Sequence, residues 1–393
     1  MTTKKSKKLN KTVFVGMSGG VDSSVSAALL KEEGYEVVGV FIKTWHPDFI
    51  ECNEEEERRD AMRVAAYLDI PFLTFDFEDV YKKGVADYMI NEYKAGRTPN
   101  PDVMCNREVK FGAFLNKARE MGADYVATGH YVQNINKKSF GKVLGSPIHN
   151  FKKVSAQPDH SQNYFYLRKS IDPTKDQSYF LWTLKQEQLK NILFPIGNLT
   201  KKQVRVLAKK FKLPVAAKKD SQGICFLGQV DLKDFLKHYI KAKNGNVLNT
   251  MGEVIGTHDG AVFYTLGERH GFNITKKTAN DARYYVVDKD IKKNILVVST
   301  DKDYSIKRNT GEDNTENKIL LNNINWISKT PEENKNYTAQ IRYHGEFLNC
   351  KIINDKKNKN QLEVVFEKPV KVASGQSVVF YDSELVLGGG VVV

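Results

Sequence analysis

The sequence predicts an α/β fold: an open parallel sheet with helices on both faces, then a β-rich remainder ending in a small barrel. The first observation is a strand, a glycine turn and a helix start in immediate succession: Val13-Phe14-Val15, then Ser18-Gly19-Gly20, then a helical pattern from Val25. The second is the strand–helix alternation that continues to Tyr125-Val126-Ala127, the mark of βαβ units. The third is a change of character at Gly252, after which short alternating strands and glycine turns replace helices.

Taken in order, residues 37–42 read as a second buried strand, 54–68 as a helix and 72–75 as a third strand. Helices near 80–93 and 111–119 lead to the fourth strand at 125–127. Ligands of such sheets sit at the carboxyl ends of the strands, and Ser18, Ile42 and Gly129 all fall there. The polar stretch from Gln133 to about Tyr164 reads as an exposed insertion. Helical periodicity returns at 179–193, 201–211 and 231–240. Strands are expected at 253–256, 284–287 and 295–298, then a polar linker over 299–318. Strands at 337–343, 362–366 and 377–380 would build the barrel.

A chain of 393 residues exceeds one ordinary domain. Sixty Lys and Arg against 47 acidic residues give a net charge of +13, which points to a polyanionic partner, nucleic acid first. Lysines scattered along the chain also serve plain solubility, so charge alone leaves both readings open. No apolar run approaches a membrane span and the basic N-terminus is not a signal peptide; a soluble, cytoplasmic protein is expected. The four cysteines, Cys52, Cys105, Cys225 and Cys350, form no Cys-x-x-Cys pair, which excludes a zinc ribbon and a disulfide scaffold and offers no metal site. Thiol chemistry here would use cysteines singly or in a transient pair.

The segment Ser18-Gly19-Gly20-Val21-Asp22-Ser23-Ser24 carries the first chemistry. A helix N-terminus offers unpaired N–H groups and a partial positive charge, while the glycines let the backbone approach an oxyanion. The Lys that NTPase phosphate loops place at the β- and γ-phosphates is missing, which disfavours γ-phosphoryl transfer. Residues 95–106 hold Pro99 and Pro101, expected to forbid a helix and stiffen a loop bearing Asp102 and Cys105. Cys105, near Asp102 and followed by Arg107 at a helix start, suits a tuned nucleophile; it equally suits a small buried thiol beside a turn-forming carboxylate. Cys225 sits in an Ile-Cys-Phe core bracketed by Gly223 and Gly228, which alone would read as structural.

The loop resembles the pyrophosphate loop of ATP pyrophosphatases, which cleave ATP at its α-phosphate. Five motifs in order widen the resemblance: Gly-Met-Ser-Gly-Gly-Val-Asp-Ser-Ser from Gly16, Thr-Pro-Asn-Pro-Asp-x-x-Cys-Asn from Thr98, Ala-Thr-Gly-His-Tyr from Ala127, Lys-Asp-Gln-Ser-Tyr-Phe from Lys175 and Asp-Ser-x-Gly-Ile-Cys-Phe from Asp220. Together with Ser374-Gly375-Gln376 and Leu387-Gly388-Gly389-Gly390, they resemble the tRNA-specific 2-thiouridylases of the MnmA family. The resemblance implies a Rossmann-like ATP pyrophosphatase domain (1–229), a small central domain (230–300) and a C-terminal β-barrel (301–393) that helps hold a tRNA anticodon arm. Carried over, Gly16, Met17, Ser18, Gly19, Gly20, Val21, Asp22, Ser23, Ile42 and Gly129 would bind ATP. Asn100, Pro101 and Asp102 would meet the target base. His130, Lys175, Asp176, Gln177, Arg342, Tyr343 and Gln376 would contact the RNA, although His130 also suits a core imidazole and Arg342 a solvated strand residue.

The scheme implied is adenylation of the 2-carbonyl oxygen of the wobble uridine, then displacement of AMP by sulfur from a persulfide on Cys225. Cys105 would act on that persulfide, Asp102 would move protons, Mg²⁺ would neutralise the triphosphate, and a cysteine desulfurase or sulfur-relay protein would supply the sulfur. The stretch 133–167 is longer than the family pattern, and Cys52 and Cys350 match no catalytic position. Rival readings are another ATP pyrophosphatase, such as an amidating or tRNA lysidine synthetase, which needs no thiol pair, and an ATP-regulated RNA-binding protein without catalysis.

Overall fold

The computed structural model describes residues 9–50, 52–136, 164–220, 223, 225–226, 228, 230–276, 282–301, 317–354 and 361–393. The first sheet is parallel throughout and orders its strands β3 (Phe72–Asp76), β2 (Glu36–Lys43), β1 (Thr12–Gly16), β4 (Tyr125–Ala127) and β7 (Ile192–Leu193). Its central strand is apolar on both faces, as burial between two helical layers requires. Val13 and Val15 point into one core with Val25, Val64 and Val204, whereas Phe14 points into the other with Val109, Phe111 and Phe114. Helices α1 (Val21–Glu32), α2 (Glu54–Tyr67) and α8 (Lys201–Lys210) contribute to the first core. The opposite layer runs through α3 (Glu78–Tyr81), a π-helical stretch Lys82–Asp87, α4 (Tyr88–Lys94), α5 (Pro101–Met104), a second π-helical stretch Cys105–Ala113 and α6 (Phe114–Glu120).

After the one-turn helix α7 (Gln186–Leu189) and α9 (Leu232–Lys237), a mixed sheet follows. It orders β10 (Asn273–Ile274), β9 (Val254–His258), β8 (Gly245–Leu248), β12 (Ile295–Ser299) and β11 (Tyr285–Asp290), with only β8 and β12 parallel. The last sheet closes into a six-stranded antiparallel barrel in the order β13 (Lys318–Trp326), β16 (Leu362–Phe366), β15 (Leu348–Asn354), β14 (Asn336–Gln340), β17 (Ser377–Asp382) and β18 (Leu385–Val392), with β18 returning to β13. Gly388 makes the closure possible: its φ is +144°, and a Cβ there would lie 2.0 Å from the Asn325 carbonyl oxygen.

The α/β class, the parallel sheet, the small central domain and the terminal barrel are as expected. Three local expectations differ. The expected insertion begins and ends as a hairpin, β5 (Val132–Asn136) paired with β6 (Phe165–Lys169), and β6 continues onto β18 through Leu167–Val386 and Arg168–Leu385. The rest of that insertion, 137–163, and most of the 299–318 linker lie outside the described residues. The expected helix at 179–193 is instead a 3₁₀ turn Ser178–Leu181, α7 and the strand β7, whose Ile192 and Leu193 pair with β4. Pro101 starts a helical turn, occupying its first position where a missing N–H costs nothing. Among the described residues, no helix is long and apolar enough to cross a membrane.

Candidate functional site

β1 ends at Gly16 and the chain turns through Met17, Ser18 and Gly19 before α1 begins. Gly19 lies at φ +68°, and a Cβ there would meet the Glu57 carbonyl oxygen at 2.4 Å, so α2 closes directly on bare backbone. Gly20 occupies the N-cap and brings no capping side chain, which leaves first-turn N–H groups of α1 available to an outside acceptor. The Ser23 and Ser24 hydroxyls donate to the Gly20 carbonyl at 3.2 and 2.7 Å, fixing the turn. Gly129 lies just past β4, where a Cβ would sit 2.7 Å from the Ser23 nitrogen.

These pieces wall a cavity of about 190 Å³. Gly16, Met17, Ser18, Asp22 and Ser23 form one side, Phe41, Ile42 and Glu57 another, and Thr128, Gly129, His130 and Gln177 a third. Lys110 and Phe226 complete the lining. Val21 is buried in the core beside the loop. Asp22 is braced by Lys201, whose Nζ donates to both carboxylate oxygens at 2.7 and 2.8 Å, and by the Tyr131 hydroxyl at 2.8 Å. Lys201 also reaches Asp220 at 2.8 Å, which pairs in addition with Lys175 and Arg205. Burial pushes Asp220 up, but the hydrogen bonds from Lys201 and Lys175 outweigh it and hold the carboxyl at about 2.

The phenylalanine in this lining belongs to the turn that carries Cys225. Asn100 caps α5 by accepting from the Val103 N–H at 3.2 Å, and Cys105 follows as the first residue of the π-helical stretch, fully buried. Its Sγ stands 3.3 Å from the Sγ of Cys225, which comes from a turn 120 positions along the chain. Three hydrogen bonds fasten that turn: the Cys225 N–H donates to Asp102 Oδ1 at 3.0 Å, the Tyr81 hydroxyl donates to the Cys225 carbonyl at 2.8 Å, and His46 Nε2 meets the Phe226 carbonyl at 2.7 Å. Phe226 itself sits at φ +68°, an uncommon conformation for an aromatic residue that these bonds hold in place.

The thiols are electrostatically unequal. The hydrogen bond from Cys105, joined by the Lys110 ammonium, outweighs burial and pulls Cys225 down to about 7, whereas burial pushes Cys105 up. The Cys105 hydrogen bond and the Lys110 charge thus favour the anionic form at Cys225, and burial favours the neutral thiol at Cys105. Burial raises the Asp102 carboxyl against the opposing pull of the Cys225 N–H and Lys110, as a group that exchanges protons requires. Burial and the nearby Lys110 hold His130 well below its ordinary value, so its ring is neutral; Nδ1 meets Thr128 Oγ1 at 2.7 Å.

The remaining expected residues fall around this centre. Asn100, Pro101 and Asp102 share the turn that presents Cys105. His130 is buried against Phe111 and Phe194 in the cavity wall. Asp176 accepts from the Ser170 N–H and the Ser178 hydroxyl, and Gln177 accepts from the Tyr131 N–H. Arg342 is exposed beyond β14, and Tyr343 packs on Phe180 with centroids 4.3 Å apart. Gln376 donates to the Thr98 carbonyl at 2.8 Å while the Thr98 N–H donates to Ser374, which clasps the barrel to the Cys105 turn. Cys52 is exposed and Cys350 is buried in the barrel core, both outside the pair. Sequence reasoning missed Lys110, Tyr81, His46 and Lys201; of these only Lys110, five residues after Cys105, lay near a motif. Among the described residues no group of three or more His, Cys, Asp or Glu is arranged to hold a metal.

Three family models match in succession: a tRNA methyl transferase HUP domain over residues 11–229, its PRC-barrel domain over 233–300 and an aminomethyltransferase beta-barrel domain over 316–392. A tRNA-specific 2-thiouridylase of Shewanella putrefaciens is 42% identical over 388 residues, covering 97% of this chain and 96% of that protein. One of Buchnera aphidicola is 42% identical over 393 residues, covering 98% and 97%. Among solved structures, a U34-tRNA thiolase of Methanococcus maripaludis aligns over 60% of this chain and 68% of its own at 17% identity and a TM-score of 0.33, too distant to bear on the site. On identity sustained across nearly the whole length, the chain belongs to the tRNA-specific 2-thiouridylase family.

Proposed function

We propose that this protein is an ATP-dependent tRNA sulfurtransferase that converts the wobble uridine to 2-thiouridine. The observation that carries the proposal is the 3.3 Å pair of unlike thiols, one of them next in the chain to Phe226 of the cavity wall. A methyl transfer, which the description of the first family model suggests, would have no use for such a pair, and neither would an amidating synthetase. The loop before α1 takes the pyrophosphate of ATP, and the uridine oxygen attacks the α-phosphate, giving an adenylated base and releasing pyrophosphate. Cys225 carries the incoming sulfur as a persulfide. When Cys105 attacks the Cys225 sulfur, a Cys105–Cys225 disulfide forms, the outer sulfur passes to C2 of the uridine, and AMP leaves. A thiol reductant then returns both cysteines for the next cycle. With Asp22 held by Lys201 and Tyr131, Glu57 is the cavity carboxylate that would hold a Mg²⁺ carried on the phosphates, where it would neutralise charge. Asn100 and Asp102 would face the base, and Lys175, Arg342 and Tyr343 the anticodon arm; a cysteine desulfurase or relay protein would load Cys225.

The test is transfer of ³⁵S to tRNA by single-cysteine variants. Cys225→Ser should accept no persulfide label, whereas Cys105→Ser should accept it, release pyrophosphate with tRNA present and form little 2-thiouridine. Wild-type thiolation by Cys225→Ser overturns the scheme, and ADP in place of AMP as the tRNA-dependent product removes the pyrophosphatase step.

A further inference from the structure

One cation inside this site has no part in the scheme above. Lys110 lies in the π-helical stretch that begins at Cys105. At the α-helical 100° per residue, two positions five apart point about 140° away from each other. The i→i+5 bonding of a π-helix instead brings such positions toward one face. Lys110 thereby comes to the side of the thiols: its ammonium stands 5.5 Å from the centre of the ring of Phe226, the residue next to Cys225, and its charge favours the Cys225 thiolate. It also lines the nucleotide cavity together with Gly129 and His130. One ammonium therefore borders the turn that carries the reactive sulfur and lines the cavity proposed for the nucleotide.

We propose that Lys110 is a further catalytic residue, holding the Cys225 sulfur anionic for capture of incoming sulfur and placing its charge between that sulfur and the nucleotide. The groups facing Cys225 are Cys105 and Lys110 from the π-helical stretch, Asp102 from α5 and Tyr81 from α3, with His46 on the next carbonyl. Among these described groups Lys110 is the one Lys or Arg. The Tyr81 hydroxyl, pushed well above its ordinary value by burial, stays neutral in the working range, and Asp102 opposes the thiolate. Burial presses against the ammonium too, but the neighbouring Cys225 and Cys105 sulfurs prevail and keep it protonated. The arrangement matches the electropositive surroundings that activate cysteines elsewhere.

This deepens the sulfurtransferase reading at Cys225, and its test uses neither tRNA nor ATP, so the two fail separately. In full-length protein carrying Cys52→Ser, iodoacetamide alkylation of the Cys225 peptide is followed by mass spectrometry from pH 5.5 to 10. The parent should show a midpoint near 7. Lys110→Met and Lys110→Gln should move it up by at least about one unit, cutting the alkylation rate at pH 7 about fivefold or more, whereas Lys110→Arg should keep it within about half a unit. A purely structural lysine would shift the melting temperature and leave the midpoint alone. An unchanged midpoint in either folded neutral variant overturns the proposal, and so does a Lys110→Arg protein that behaves like the neutral variants.

Discussion

Removing one oxygen atom, in Tyr81→Phe, should loosen the turn that holds Cys225. Tyr81 has no solvent exposure, and its hydroxyl supplies one of the three hydrogen bonds that fasten this turn. Because burial raises that hydroxyl well above its ordinary value, it donates at every pH of the assay and the effect should be flat with pH. Phenylalanine preserves the ring and its edge-to-face contact with Phe226, 6.0 Å between centroids, so the perturbation is confined to the hydrogen bond. A bond to a partly buried carbonyl contributes about 1 kcal/mol net, rising toward about 3 kcal/mol if the acceptor is left dry. At 1.36 kcal/mol per factor of ten, the lower figure corresponds to about fivefold. The observable is the effective concentration of Cys105 at Cys225, read from the Cys105–Cys225 disulfide equilibrium in glutathione buffers. It should fall about fivefold or more while the melting temperature changes little and ATP binding persists. An effective concentration equal to the parent's would mean that Cys105 and the Asp102 bond alone hold Cys225, and the three-point account of the turn would be wrong.

Two other substitutions address the neighbouring parts. Gly129→Ala should place a methyl group 2.7 Å from the Ser23 nitrogen, displacing the start of α1. Overpacking of this kind costs about 1–3 kcal/mol. ATP affinity measured by calorimetry should therefore drop about tenfold with tRNA affinity retained; parental ATP affinity would remove Gly129 from the nucleotide site. Gln376→Ala should release the barrel from the Thr98 carbonyl, slowing sulfur transfer to tRNA more than tRNA-independent loading of Cys225. Equal losses in both assays would show that the clasp acts on the fold as a whole.

Much of the fold was legible because it obeys local periodicity. Val13, Phe14 and Val15 alternate between two cores, and α2 is announced by four consecutive glutamates at its N-terminus, where the helix dipole favours them. The elements that escaped are those decided by distant partners. β7 has two residues and exists only because β4 offers its free edge, and β6 keeps β5 on one edge while its other edge pairs with β18, more than two hundred positions later. Pro101 was misjudged for a different reason: a proline is read as a helix breaker unless the residue before it is recognised as a cap, and Asn100 is one.

The site divides along the same line. The nucleotide loop is local, a strand end, two glycines and a helix start, and it was visible in nine residues. The thiol pair spans 120 positions, and no pattern around either cysteine foretells the 3.3 Å contact; five ordered motifs and a family resemblance joined them. Lys110 was hidden because no sequence pattern marks a π-helical stretch, the register that turns it toward Cys105. Tyr81 and His46 were hidden because each holds a backbone carbonyl, and a carbonyl leaves no trace in a sequence.

These long-range contacts also say how RNA and sulfur can be kept in register. A barrel joined to the first domain only through linkers would wander by more than the length of a bond-forming approach, which tolerates errors well below 1 Å. Here β6, a strand of the first domain, is hydrogen-bonded directly to β18 of the barrel. Trp182 donates to the Ser377 hydroxyl at 3.1 Å, Tyr179 donates to the Ser377 carbonyl at 2.9 Å, and Gln376 holds the carbonyl of Thr98, two residues before the cap of α5. The barrel loop is thus tied on one side to the 3₁₀ turn after Gln177, which lines the cavity, and on the other to the turn that presents Cys105. An anticodon arm resting on Arg342 and Tyr343 would be positioned by the same bonds that position the thiols. On the proposed function, one hydrogen-bonded joint would hold both, and the reach from base to sulfur would be a property of the fold.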